Sequence, residues 1–292
     1  MSTEGQIVVG IDGSDHARSA VSWAAAQADA ARQQLCVLYA ADLDRISRFA
    51  SFETVESVKN KGHELLDETA AAVQERHPSL DITRSLSRKE PVSALHDAAG
   101  RRGRIVVGSR GRGGFGALLL GSVGLGVATG AAVPVVVVRG ESPWSGTGRV
   151  TAAVRGATDG DWLEAAAREA RLREASLNLL GVRSILARAA GTGRLSDAEK
   201  GADRRSEQQI EDLAQSLREA FPGTTVSCAV ETGRSAAAVL VEASRRCDLV
   251  VVGGRREQDH VSATPGRVAH ALLHHSHCPV QIVPRGVTEE VA

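Results

Sequence analysis

Short apolar runs alternate along this chain with longer amphipathic stretches, and the alternation is regular enough to give the class of fold. Ile7 to Ile11, Leu35 to Ala40, Arg104 to Gly108 and Val135 to Val138 are brief and nearly unbroken by polar positions. Strands buried on both faces read this way. Leu80 to Leu86 alternates and predicts a further strand. Between these runs, Ser14 or Asp15 can cap a helix whose Ala17, Ala20, Val21, Ala24 and Ala28 share one face. Glu53 to Arg76 predicts a long polar-faced helix, and Pro91 sits where a helix running to Arg101 would start. The apolar segment from Val123 to Ala132 predicts another. Strand and helix alternation of this kind gives a parallel sheet covered on both faces, and right-handed crossovers restrict its topology.

The pattern occurs twice. Ile105-Val106-Val107-Gly108 returns in Leu249 to Gly253, and Ala132 to Arg139 returns in His277 to Arg285, a shift of about 145 residues within a chain of 292. A repeat that long is a duplicated domain and not a solenoid. Gly140 to Gly148, rich in Gly, Ser and Pro, suits an exposed linker. The expected division is therefore a domain over 1–140, a linker over 141–148 and a second domain over 149–292.

The first copy carries a spaced glycine set. Gly108, Gly111, Gly121 and Ser122 follow the Arg104 strand with two and then nine residues between the glycines. Glycine lets backbone N–H groups approach an anion with no Cβ between, and a helix N-terminus favours negative charge. Gly111 to Gly116 also satisfies G-x-G-x-x-G, but a dinucleotide fold places that motif after its first strand and an acidic residue about 20 residues on. Here it follows the fourth strand, and Ala131 to Pro134 stands at that distance. No G-x-x-x-x-G-K-[ST] is present.

The spacing of Gly108, Gly111, Gly121 and Ser122, with the first strand and its acidic turn at Gln6 to Ser14 and the closing strand at Pro134 to Arg139, resembles the universal stress protein family. The resemblance implies an α/β fold of two tandem doubly wound five-stranded parallel-sheet domains, each with strand order 3-2-1-4-5. Ligands of open α/β sheets bind where the strand order reverses, beyond the carboxyl ends of the strands, and that rule brings Asp12 to the glycine loop. The resemblance implies ATP as ligand, with Gly108, Gly111, Gly121, Ser122 and Val123 around the ribose and phosphates. Asp12 would bond ribose hydroxyls or hold magnesium on the phosphates; its plainer reading is a helix-capping carboxylate. Ala40 matches the position whose backbone meets the adenine edge, while Ile11 and Val107 either pack on the base or are ordinary core. Arg110 and Arg112 either pair with phosphate oxygens or are solvated loop charge.

The second copy departs from this pattern. Arg155 stands in the place of Asp12, Arg256 in that of Gly111 and Arg267 in that of Ser122, so nucleotide binding is expected in the first copy only. Arginines of the second copy either bind a smaller anion or fill the site themselves. His270, His274, His275, His277 and Cys278 admit a metal reading, but no third ligand has an evident spacing.

Composition narrows the function. Formal net charge is zero and aromatic residues are 3%, which disfavours nucleic acid and anionic membranes as partners. No apolar run is long enough to cross a membrane and the first residues lack a signal pattern, so a cytoplasmic protein is expected. The four cysteines show no C-x-x-C pair. No catalytic triad or paired carboxylates accompany the loop, which favours binding over catalysis, and the family resemblance then implies an ATP-binding sensor or regulator in the stress response. The alternatives are a slow ATPase or other nucleotide-using enzyme, and a cyclic-AMP-binding module. Family architecture further implies that the two closing strands pair across a pseudo-twofold axis; a homodimer of tandem chains is expected, and a regulatory protein partner is left open and unidentified.

Overall fold

A computed structural model describes residues 5–111, 120–139, 146–184, 197–257, 260–264 and 266–285. The chain divides into two compact units, Met1–Trp144 and Ser145–Ala292. In the first, β1 (Ile7–Ile11), α1 (Asp15–Ala31), β2 (Leu35–Ala40), a single-turn α2 (Leu43–Ile46), α3 (Phe52–Arg76), β3 (Ile82–Ser87), α4 (Pro91–Ala99), β4 (Arg104–Gly108), α5 (Ser122–Ala128) and β5 (Val135–Val138) follow in order. The sheet runs β3-β2-β1-β4-β5, with all neighbours parallel. Helices α1 and α3 pack together on one side of it, and α4 and α5 on the other. With both faces covered, Ile7, Val8, Val9, Ile105 and Val106 lose all exposure to water, which is why these strands are continuously apolar.

Local signals set the element ends. Ser14 Oγ accepts from Ala17 N at 3.2 Å and caps α1, whose five expected core positions are all buried. Ser51 caps α3 in the same way, so that helix begins at Phe52, one residue before the expected Glu53. Glu90 accepts from Val92 N and Ser93 N with Pro91 in the first helical turn. Two expected helices are shorter. The one from Pro91 stops at Ala99 because Gly100 takes φ +57, and the one after Gly121 stops at Ala128, where Thr129 is extended and Gly130 takes φ +81. The third strand starts at Ile82 and not Leu80, whose N–H closes a turn onto His77 O.

The second unit repeats the plan. β6 (Arg149–Val154), α6 (Gly160–Leu172), β7 (Ser176–Ser184), α7 (Asp197–Ala220), β8 (Val226–Gly233), α8 (Ala236–Ala243), β9 (Leu249–Gly253), the antiparallel pair β10 (Arg255–Glu257) and β11 (His260–Thr264), α9 (Arg267–His275) and β12 (Val280–Val283) follow in order. The sheet order β8-β7-β6-β9-β12 is again parallel. The fold is thus two doubly wound units of order 3-2-1-4-5. Of the expected linker, Gly140 to Ser145 lie outside the described residues, while Gly146 and Gly148 take positive φ. The segment entering β6 is pinned by buried Asp248. Its carboxylate accepts from Thr147 N (3.0 Å), Thr147 Oγ1 (2.8 Å), Gly148 N (2.8 Å) and Arg149 N (3.3 Å). No described helix is long and apolar enough to cross a membrane.

Helix α3 lies on β2 and β3 through Gly62, where an added Cβ would fall 2.7 Å from Tyr39 Cδ1 and 2.9 Å from Leu86 Cδ1. Alanine gains about 1 kcal/mol over glycine in a helix interior, but overpacking costs about 1–3 kcal/mol. Gly62→Ala is therefore expected to lower stability by about 1 kcal/mol. Urea unfolding checks this as a lower midpoint with an unchanged slope.

Candidate functional site

Strand order reverses between β1 and β4, which lie side by side with Ile7 opposite Arg104 and Val9 opposite Val106. The turn after β1 and the loop after β4 therefore leave the same edge of the sheet. Hydrogen bonds staple them together. Asp12 Oδ1 accepts from Ser14 N at 3.0 Å, and Ser14 Oγ, besides capping α1, donates to Arg110 O at 3.4 Å. Asp12 thus does turn work with one oxygen. The other, Oδ2, faces Gly111 so closely that a Cβ there would fall 2.5 Å from it. Gly108 is equally confined, since a Cβ would fall 2.5 Å from His16 O at the start of α1. Gly121 N donates to Ser109 O at 2.8 Å, bringing Gly121 beside Arg110 and Gly111. Close approach, and not a left-handed backbone, is what Gly108 and Gly111 supply.

The remaining expected residues fall around this centre. Gly121 is the N-cap residue of α5 and makes no side-chain cap bond; Ser122, exposed, and Val123, half-buried, open the helix. Ala40 reaches the same carboxyl edge one strand over, because Ile11 pairs with Tyr39. Ile11 and Val107 are buried in the sheet, at 7% and 4% exposure. Arg112 lies outside the described residues. Arg110 is half-buried, and its Nε is buried with no hydrogen-bond partner among the described residues.

Two residues that sequence reasoning passed over join the site. Burial, and after it the charge of Arg110, holds the Arg139 guanidinium below its ordinary pKa. His16 is also held below its ordinary value, first by burial and then by Arg110, with Arg139 adding to the effect and Asp15 and Asp12 opposing it. Arg139 is the first residue past β5 and His16 is in the first turn of α1, so both leave the carboxyl edge that the switch-point rule marks, but that rule does not say which side chains there are buried. The charges of Arg110 and Arg139 thus act on His16 from one direction, and those of Asp12 and Asp15 oppose them.

The second unit fills the equivalent place with its own side chains. Arg155, just past β6, donates from its N–H to Asp159 Oδ2 at 2.6 Å and pairs through Nη2 with Oδ1 at 3.5 Å. Arg285, two residues past β12, pairs with the same Asp159 Oδ1 and donates to Thr158 O at 3.3 Å. Asp159 is wholly buried and the Arg285 side chain is 7% exposed. Burial, followed by Arg155, lowers the Arg285 pKa. Gly253, the counterpart of Gly108, packs on the buried Trp162 indole, where a Cβ would fall 2.5 Å from Nε1. Elsewhere in this unit the His270 and His274 rings stack with centroids 4.5 Å apart. Among the described residues no three His, Cys, Asp or Glu side chains gather as a metal group.

Both halves match the universal stress protein family, over residues 5–139 and 147–284. Universal stress protein Rv2623 of Mycobacterium tuberculosis is 36% identical over 134 residues, 46% of this chain and 44% of that protein. The match thus spans less than half the length of that relative. Universal stress protein Rv2624c of the same organism is 27% identical over 295 residues, 96% of each chain. Among solved structures, a universal stress protein from Archaeoglobus fulgidus superposes with a TM-score of 0.70 at 17% identity, covering 98% of this chain and 100% of that one, which shows a shared fold.

A buried carboxylate between two guanidiniums is costly to remove, since the cations are then left unpaired. Asp159→Asn is expected to destabilise the second unit by about 3 kcal/mol, the low end for breaking a buried pair, because only Arg285 of the two arginines is buried. Hydrogen exchange of peptides from α6 and β12 reads this as faster exchange.

Proposed function

The chain belongs to the universal stress protein family in both halves, and we propose that its first half binds an adenine nucleotide, ATP with magnesium, while its second half binds none. The observation that carries this reading is the approach of Gly111 to the Asp12 carboxylate, beside Gly108 and Gly121. Beside that contact, the buried Arg110 Nε, without a hydrogen-bond partner among the described residues, suits phosphate oxygens. In this reading Gly108, Gly111, Gly121, Ser122 and Val123 hold ribose and phosphates, with Arg110 and Arg112 on the phosphate oxygens. Ala40 meets the adenine edge, with Ile11 and Val107 beneath it.

Magnesium fits the same set. It takes oxygen ligands and is held by one or two carboxylates together with substrate phosphates, and Asp12 offers such a carboxylate at the loop. The ion would arrive with the nucleotide and neutralise its tail there. The second unit supports the other half of the proposal, because Arg155, Arg285 and Trp162 occupy its switch point. Nucleotide occupancy of one unit then stabilises that unit by mass action, about 2.7 kcal/mol at a hundredfold excess over Kd. That is the physical basis for a cytoplasmic sensor or regulator in the stress response, acting as a homodimer of tandem chains on a regulatory partner.

Denaturing the purified protein and quantifying the released nucleotide by mass spectrometry tests this. About one adenine nucleotide per chain is expected from the wild type and none from Gly111→Arg, whose fold is checked by its circular dichroism and melting curve. No nucleotide from the wild type, and no uptake of Mg-ATP, would overturn the reading.

A further inference from the structure

Two arginines and a histidine leave the backbone around one point of the first unit, the carboxyl end of β4. His16 brings its carbonyl against Gly108. Arg110 follows Gly108 by two residues. Arg139 directly follows Val138, which pairs with Gly108 and whose carbonyl accepts from Ser109 N at 3.0 Å. Resting on the nucleotide reading above, we propose that Arg110, Arg139 and His16 form a clamp for a polyphosphate tail and that His16 gains a proton as the tail binds. The site then selects nucleotides with two or more phosphates and holds them more tightly as pH falls.

The argument is one of charge balance. Arg110 and Arg139 bring two guanidiniums from two chain segments to this edge, and burial first, then the charge of Arg110, disfavours the protonated form of His16 and of Arg139. Arg110 Nε, buried without a hydrogen-bond partner among the described residues, offers a donor that an anion would satisfy. Guanidiniums that reach in from different segments need separate sets of oxygens. A single phosphodiester, as in cyclic AMP, has one negative charge and two free oxygens; a triphosphate can meet both arginines and the imidazole.

The groups facing His16 give the sign. On its own helix Asp15 favours the protonated ring, but Asp15 is paired with Arg18. From the turn after β1 Asp12 favours it, and from the loop after β4 and the end of β5 Arg110 and Arg139 disfavour it. Without ligand the folded-state pKa lies below the unfolded value, so this group's contribution to stability is present above the ordinary histidine pKa and is lost as pH falls from there through the lower folded-state value. A bound polyanion adds several negative charges and moves the pKa upward. Affinity then increases as pH falls through the bound-state pKa and levels off below the ligand-free one. Each unit of upward shift is a tenfold gain.

Calorimetric titration of the nucleotide-stripped full chain with Mg-ATP, Mg-ADP, AMP and cyclic AMP between pH 7.5 and 5.5 tests the clamp, comparing wild type with His16→Gln and Arg139→Gln. Phosphate protonation is common to all three proteins, so the difference between their profiles isolates the side chains. Wild-type affinity for Mg-ATP is expected to rise about tenfold more than that of His16→Gln over this range. Arg139→Gln is expected to weaken Mg-ATP at least tenfold and AMP less than threefold. NMR titration of the wild-type His16 ring with and without Mg-ATP gives the same answer without a substitution, as an upward shift of about one unit. Parallel pH profiles, an unmoved ring, or equal losses for ATP and AMP would overturn the clamp while leaving nucleotide binding intact. A wild type that binds none of the four ligands would overturn both.

Discussion

The approach of Gly111 to Asp12 is the contact on which the first unit's site depends. It is possible because the sheet order reverses between β1 and β4, so the two chain segments leave one edge together with no strand between them. It is preserved because Ser14 ties the turn to the loop through Arg110 O and caps α1 with the same hydroxyl. A side chain at 111 would displace the Asp12 carboxylate, and with it the turn that Asp12 Oδ1 helps to close. The carboxylate and the glycine are therefore one structural unit.

The second unit shows what the same fold does when that unit is gone. Arg155 replaces Asp12 and Arg256 replaces Gly111, so the carboxylate and the glycine are lost together. At the carboxyl edge Asp159 instead pairs with both Arg155 and Arg285, and Trp162 packs against Gly253. Desolvating such a network is expensive, and its members hold only while all are paired. The first unit gathers Arg139, Arg110 and His16 in place of that closed network, with one carboxylate at its loop. In the second unit the buried carboxylate comes from within the first turn after β6, whereas in the first unit Asp12 faces the glycine loop.

Much of this was legible in the sequence, for identifiable reasons. The limits of β1, β2, β4 and β5 follow from continuous apolar runs bounded by polar or glycine positions, and the start of α1 from Ser14. Helix ends were less legible because they depend on backbone angles. Nothing in Gly100 or Gly130 as letters distinguishes a terminating glycine from a tolerated one, and α2 is a single turn with no periodicity. At the site, the glycine spacing and the strand-order rule brought Asp12 to the loop. They said nothing of His16 or Arg139, whose roles arise from burial and the charge of Arg110. Asp159 was hidden for the same reason: a buried carboxylate looks like any surface aspartate until its two arginines are placed in space.

The central claim is that one of two homologous edges is a ligand site and the other is closed. Hydrogen-exchange mass spectrometry of the full chain with and without Mg-ATP tests it most directly. Protection confined to peptides covering 9–18, 105–111 and 120–125, with exchange over 153–160 and 249–268 unchanged, is the result this account predicts. Equal protection at both edges, or protection only in the second unit, would contradict it.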